Sequence, residues 1–317
     1  MFSKWQSFTS AASVFLGCLS LAIPGLAAAP KFTVLYGFNE QVNSAAGQAP
    51  SGLAIGGGGV LYGTAGAGGA YNNGPEGCEF GCGAVFSLAP PSTQGGPWTE
   101  TVLWNFGGAP GDGVIPVGGV VVGSGGVLYG TATGGGYPLC GCGVVFSLTP
   151  PESRGGAWTE SILLAFGSVD GSGQRPETGL ALGGDGVLYG TTSEGGRYGT
   201  GTVFSLAPPA TQGDPWTETV LWSLGGTGDG STPSAAVVIG SGGVLYGTTS
   251  AGGANNYGTV FSLSPPSAQS GPWSEAVLMT FDAASGRPSA GGDRPRRRAV
   301  RDDLRRQPQR RGHSILP

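Results

Sequence analysis

Residues 216–224 alternate in character. Val220, Trp222 and Leu224 fall on one side of an extended chain and Thr219, Leu221 and Ser223 on the other, the period of two that a β-strand requires. The same column of large side chains returns as Val102, Trp104 and Phe106, as Ile162, Leu164 and Phe166, and as Val277, Met279 and Phe281. Three shorter apolar runs precede it in the same stretch of chain, predicting strands over 179–182, 187–191 and 202–206. Gly183-Gly184-Asp185-Gly186 reads as a tight hairpin turn between the first two, and 195–201 as a glycine-rich loop. The third run stops at Ala207-Pro208-Pro209, because proline has no N–H to give to a ladder. No segment of 30–290 carries the 3.6-residue pattern of an amphipathic helix.

These strands belong to a tandem repeat. Leu61-Tyr62-Gly63-Thr64 returns as Leu128-Tyr129-Gly130-Thr131, Leu188-Tyr189-Gly190-Thr191 and Leu245-Tyr246-Gly247-Thr248. Each is followed by a second phrase: Val85-Phe86-Ser87-Leu88, Val145-Phe146-Ser147-Leu148, Val203-Phe204-Ser205-Leu206 and Val260-Phe261-Ser262-Leu263. Four short strands in a period of roughly sixty residues predict an all-β, β-propeller-like chain of four four-stranded blades, over about 32–106, 107–166, 167–224 and 225–281. A β-solenoid is the alternative, disfavoured because nothing repeats at half that period. Residues 32–38 match the fourth strand of a blade, with Val34, Tyr36 and Phe38 on the large face. They are expected to close a ring by pairing into its last blade, since an open ring leaves sheet edges unpaired.

Composition sharpens this picture. The chain holds 65 glycines and 24 prolines in 317 residues, and the glycines recur at matching places in each repeat, as turn residues do. Residues 30–290 carry five basic side chains against sixteen carboxylates, which argues against nucleic acid as a partner. Residues 1–29 read as a secretory signal peptide. Lys4 precedes an apolar stretch over 11–23 that is too short to span a bilayer, followed by Ala27-Ala28-Ala29. Cys18 lies in a poor match to a lipid-attachment pattern, with Phe15 where that pattern has leucine, and lipidation is not expected. No later apolar run is long enough for a transmembrane helix, so the mature chain is expected to be exported, secreted or held at the cell surface.

Residues 291–317 break the pattern with nine arginines. Back-translated and read one base later, 292–303 permit Val-Ile-Gly-Pro-Gly-Gly-Val-Leu-Tyr-Gly-Thr-Thr, close to the phrase at 238–249. The tail therefore reads as a frameshifted fifth repeat and is expected to be disordered. The competing reading is a basic arm for an anionic partner.

Little catalytic chemistry is on offer. His313, in that tail, is the only histidine, which excludes His-dependent nucleophilic catalysis and imidazole metal sites in the repeats. The acids recur with the repeat: Glu100, Glu160, Glu218 and Glu275 in the fourth strands, and Asp112, Asp170 and Asp229 in equivalent turns. Such repetition points to architecture rather than catalysis. Each Asp-Gly turn offers a single carboxylate, so a plain turn is preferred to calcium. No metal or cofactor is predicted.

Cys78, Cys82, Cys140 and Cys142 fall in equivalent loops of the first two repeats and are expected to form disulfides in an exported protein, with three connectivities open. A four-thiolate zinc site is less apt, because neither pair has Cys-x-x-Cys spacing.

The two phrases together, at 188–196 with 201–206 and at 245–253 with 258–263, resemble the GloVer tandem repeat of exported bacterial choice-of-anchor proteins. The resemblance covers nearly all of 32–281. It implies a secreted or cell-surface repeat protein, ordinarily with a C-terminal sorting anchor, which is not expected here, and no established activity. The expected function is a non-catalytic binding or structural surface module. Tyr71-Asn72-Asn73, Tyr198 and Asn255-Asn256-Tyr257 place aromatic and amide groups in loops, a chemistry suited to extracellular carbohydrate or a cell-surface component, although simple turns use the same residues. A secreted carbohydrate-active enzyme, hydrolase or lyase, working through carboxylates is the alternative.

Overall fold

The computed structural model describes residues 33–38, 47–71, 78, 80–137, 140–153, 155–168, 171–211, 213–267, 271–286 and 288. The expected signal peptide, Cys18, Asn72, Asn73, Asp170 and the arginine-rich tail lie outside them. Every described strand lies in one compact unit, which begins at Tyr36.

The two recurring phrases are each other's cross-strand partners. In the first repeat β1 (Gly47–Ile55), β2 (Leu61–Gly68), β3 (Ala84–Ala89) and β4 (Thr99–Asn105) form an antiparallel sheet in chain order. The register sets Leu61 opposite Leu88, Tyr62 opposite Ser87, Gly63 opposite Phe86 and Thr64 opposite Val85. The second repeat repeats it with β5 (Gly113–Val122), β6 (Leu128–Gly135), β7 (Val144–Thr149) and β8 (Thr159–Ala165). The central glycine of the first phrase answers to this pairing. A Cβ on Gly130 would stand 2.5 Å from the Phe146 ring, which lies across the strand.

In the third and fourth repeats the first strand is in two pieces, a departure from the predicted four strands. The third has β9 (Gly173–Gln174), β10 (Ala181–Leu182), β11 (Leu188–Thr192), β12 (Glu194–Gly195), β13 (Thr202–Ala207) and β14 (Thr217–Ser223). Its main sheet runs β10-β11-β13-β14, and β9 pairs with β12. The fourth has β15 (Gly230–Pro233), β16 (Val238–Ile239), β17 (Leu245–Gly252), β18 (Thr259–Ser264) and β19 (Ser274–Thr280), with β15 and β16 both on β17. The register of β1 and of β5 also shifts, between Ser51 and Leu53 and between Val117 and Val120. The first strand is thus irregular in every repeat.

The alternation predicted for the fourth strand is also interrupted. In each sheet the register shifts by one residue, so that Val203 faces Trp222 while Phe204 faces Val220. This bulge puts Val220 and Trp222 on opposite faces and lets one repeat serve two neighbours.

Each sheet packs face to face on the next. Phe106, Leu103, Trp104 and Tyr62 of the first repeat cover Phe146, Leu128 and Trp158 of the second. Phe166, Leu164 and Tyr129 cover Phe204, Leu188 and Trp216, and Leu224, Trp222 and Tyr189 cover Phe261, Leu245 and Trp273. The aromatic rings meet edge to face, Phe106 with Phe146 at 4.9 Å and Phe166 with Phe204 at 5.3 Å.

Backbone locks hold these junctions. Ile115, Arg175 and Thr232, each followed by proline, adopt φ of 58°, 55° and 54°, rare for side chains of that shape. Their amides donate across the junction to the carbonyls of Cys82, Cys142 and Thr200 at 2.8, 2.8 and 2.9 Å. Nearer the first strands, the Gly119 amide donates to Thr64 Oγ1 at 3.2 Å and the Thr131 hydroxyl to the Thr178 carbonyl at 2.6 Å.

The N-terminal segment corrects a further expectation. Residues 33–38 carry no β-ladder, and no sheet closes on itself among the described residues. Tyr36 and Phe38 nevertheless pack on Phe86, Leu88 and Trp98, with the Phe38 ring edge-on to Phe86 at 4.9 Å. Phe38 therefore takes the place that Phe106 takes on Phe146, held by side-chain packing without strand pairing. Leu53, on the same side of the first sheet, is 60% exposed, whereas its counterparts Val120, Leu180 and Val237 are buried.

Candidate functional site

Between β4 and β8 the first junction opens into a cleft of about 890 Å³ lined by Tyr71, Trp104, Asn105, Asp112, Trp158 and Glu160, among others. Ala157, at its rim, stands where the other repeats have Pro97, Pro215 and Pro272. The walls follow from the repeat. Trp104 lies opposite Val85 and faces the second repeat, Glu160 lies opposite Leu148 and faces the first, and the Trp158 ring meets Tyr62 edge-on at 6.2 Å. Tyr71 lies over Gly108, where a Cβ would come within 2.9 Å of its ring.

Asp112 sits at the turn between the two sheets. Its Oδ2 accepts the amides of Gly107 and Gly108 at 2.8 and 3.1 Å, a turn-capping role. Glu160 lies beside it, and the buried Glu160 Oε1 and Asp112 Oδ1 have no other partner among the described residues, so a proton held between the two carboxyls serves both. Burial, with the Asp112 charge alongside, pushes the Glu160 carboxyl up to about 8, and burial raises Asp112 as well. At the third junction Asp229 accepts the amide of Gly225 at 3.2 Å and the indole N–H of Trp222 at 3.0 Å. Burial and Asp229 push its partner Glu275 up to about 7. Glu218 accepts the hydroxyl of Ser172 at 2.9 Å, and Glu100 that of Tyr36 at 2.7 Å.

The four repeated glutamates are thus paired to four different partners. The sequence showed that these acids recur but not that Asp112 and Glu160, or Asp229 and Glu275, come together. Their similar offset, 48 residues (160−112) in one pair and 46 (275−229) in the other, was the available signal.

The other predicted residues are dispersed. Cys78 is disulfide-bonded to Cys82 and Cys140 to Cys142, each pair within its own loop, with Cα separations of 4.9 and 5.1 Å. Cys82 is buried in the first junction and Cys142 in the second. Tyr198 carries the guanidinium of Arg197 at 5.6 Å from its ring centre. Asn256 takes a left-handed turn with φ 56° and its Oδ1 accepts the Gly252 amide at 2.9 Å, so it serves the backbone. Among the described residues no group of three or more His, Cys, Asp or Glu side chains is arranged to hold a metal, and no helix is long and apolar enough to cross a membrane.

No curated protein matches the chain significantly. The profile of the Gloeobacter/Verrucomicrobia repeat matches residues 139–293, from the loop of the second repeat through the fourth. Over that span the matched residues form the stacked antiparallel sheets described above, with both phrases as their central strands. Residues 139–293 therefore belong to the GloVer repeat family.

Proposed function

We propose that this protein is an exported, non-catalytic binding or structural module of the cell surface, and that its stacked sheets are consecutive blades of a β-propeller. Face-to-face packing of hairpin-connected sheets, with the first strands of neighbouring repeats in contact, supports a propeller over a solenoid, whose coils pair in parallel. Export rests on the sequence of residues 1–29.

The observation that carries the non-catalytic reading is the state of the acids. Asp112 and Glu160 hold a proton between them, and Asp112 is further held by two amides. Glycosidases place their carboxyl groups about 5–10 Å apart, on either side of the scissile bond. A pair that shares a proton leaves no room for a sugar between its members.

The second reading, a carbohydrate-active enzyme, draws on the raised Glu160 in an aromatic-lined cleft. A panel of glycoside hydrolase and lyase substrates between pH 5 and 8, run beside binding to intact cell envelopes, separates the two. Envelope binding without turnover is expected. Turnover lost in Glu160→Gln overturns the module reading.

A further inference from the structure

We infer that the cleft at the first junction is a binding site for a neutral saccharide, with Tyr71, Trp104 and Trp158 as its stacking surfaces. The inference rests on the module reading above and names its ligand class.

A pyranose ring presents flat C–H faces that pack on aromatic rings, and a rim of hydroxyls that both donate and accept. Three half-exposed aromatic side chains in one cleft match the first property. The second is matched by the polar side chains of Asn105, Asp112 and Glu160 in the lining. Trp104 Nε1 is buried and has no hydrogen-bond partner among the described residues. Its counterpart Trp222 spends the same group on Asp229 at 3.0 Å, and at the second junction the position is Leu164, which has no such group. A buried indole N–H ordinarily finds an acceptor, so the wall at Trp104 differs from its counterparts in the other repeats.

The first junction also departs from the repeat at its rim, where Ala157 replaces the proline of the other three repeats. Among the described residues the lining carries no cation. The proton shared by Asp112 and Glu160 leaves a residual negative charge that repels uronates and sulfated sugars.

The test is isothermal titration, together with tryptophan emission, using maltotriose, cellotriose and triacetylchitotriose, with trigalacturonate as the anionic control. At least one neutral trisaccharide is expected to bind and shift the emission, and trigalacturonate to leave it unchanged. Tyr71→Ala and Trp104→Phe are expected to weaken binding at least tenfold. Ala157→Pro installs the residue that the fold accepts in the other repeats, and so tests the cleft without risk to folding; it is expected to weaken binding too.

Failure of every neutral trisaccharide to bind, or binding within twofold of the parent in Tyr71→Ala and Trp104→Phe at unchanged melting temperature, overturns the assignment. Envelope binding that persists in these variants overturns the cleft and leaves the module reading standing. Turnover of a trisaccharide that binds in the cleft does the reverse.

Discussion

Gly143 and Pro176 meet across the second junction. A Cβ on Gly143 would lie 2.6 Å from Pro176 Cδ and 2.7 Å from the Ala132 carbonyl, and the residue has φ of 94°. Gly201 stands in the same relation to Pro233, at 2.8 Å, and Gly258 to Pro288, at 3.1 Å. The glycine that opens each third strand is therefore the seat for the proline of the next repeat.

Replacing Gly143 with alanine should destabilise the chain by at least about 2 kcal/mol, since it combines a left-handed backbone with overpacking. Urea denaturation followed by tryptophan emission checks this. A midpoint unchanged from the parent would show that the seat is dispensable.

The acid pairs predict an unusual pH dependence. Glu160 is raised to about 8 from an ordinary 4.5, so the folded state holds its proton more tightly than the unfolded chain. Its contribution to stability is full below about pH 4.5 and is lost as pH rises from there through 8. Glu275, raised to about 7, loses its own over a narrower window. Glu160→Gln keeps a donor for Asp112 at every pH, and should unfold at a higher temperature than the parent at pH 8.5 with no comparable gain at pH 5. Parallel melting curves across that range would refute the shared proton.

Equivalent positions should differ in cost according to what covers them. Phe146 is fully buried under Phe106, and Phe146→Ala should cost about 3–5 kcal/mol. Met279 takes the place of Trp222 in the fourth repeat but is 46% exposed, and Met279→Ala should cost under about 1 kcal/mol. Thermal denaturation of the two variants side by side tests the difference.

Both disulfides close very short loops, so by the chain-entropy argument each contributes no more than about 2 kcal/mol. Peptide mapping without reductant should recover Cys78 with Cys82 and Cys140 with Cys142, and no bridge between repeats. Thiol titration after denaturation should find these four cysteines unreactive. A Cys82–Cys142 link would contradict the local pairing.

Much of this was legible in the sequence because it depends on neighbours along the chain. The phrases at 188–191 and 203–206 alternate as strands, and Gly183-Gly184-Asp185-Gly186 turns back as expected, with the Gly183 amide on the Val187 carbonyl at 2.8 Å. Family membership was readable from the same phrases. The bulge beside Phe204 was not, because a residue inserted into one strand leaves the apparent alternation of Val220, Trp222 and Leu224 intact while the partner strand sets which face each side chain takes. The ladder expected of residues 33–38 failed for a related reason: side-chain pattern can seat Tyr36 and Phe38 on a neighbouring sheet without any backbone pairing.

The sequence by itself determined the repeat and its strands, which follow from local periodicity, whereas the place of Gly130 opposite Phe146 came from the register. Only the tertiary structure decided that Asp112 shares a proton with Glu160, that Trp104 keeps its N–H while Trp222 spends it on Asp229, and that the first junction opens as a cleft. Those outcomes depend on how one sheet lies against the next, where side chains far apart in the chain meet and no one-dimensional pattern records it.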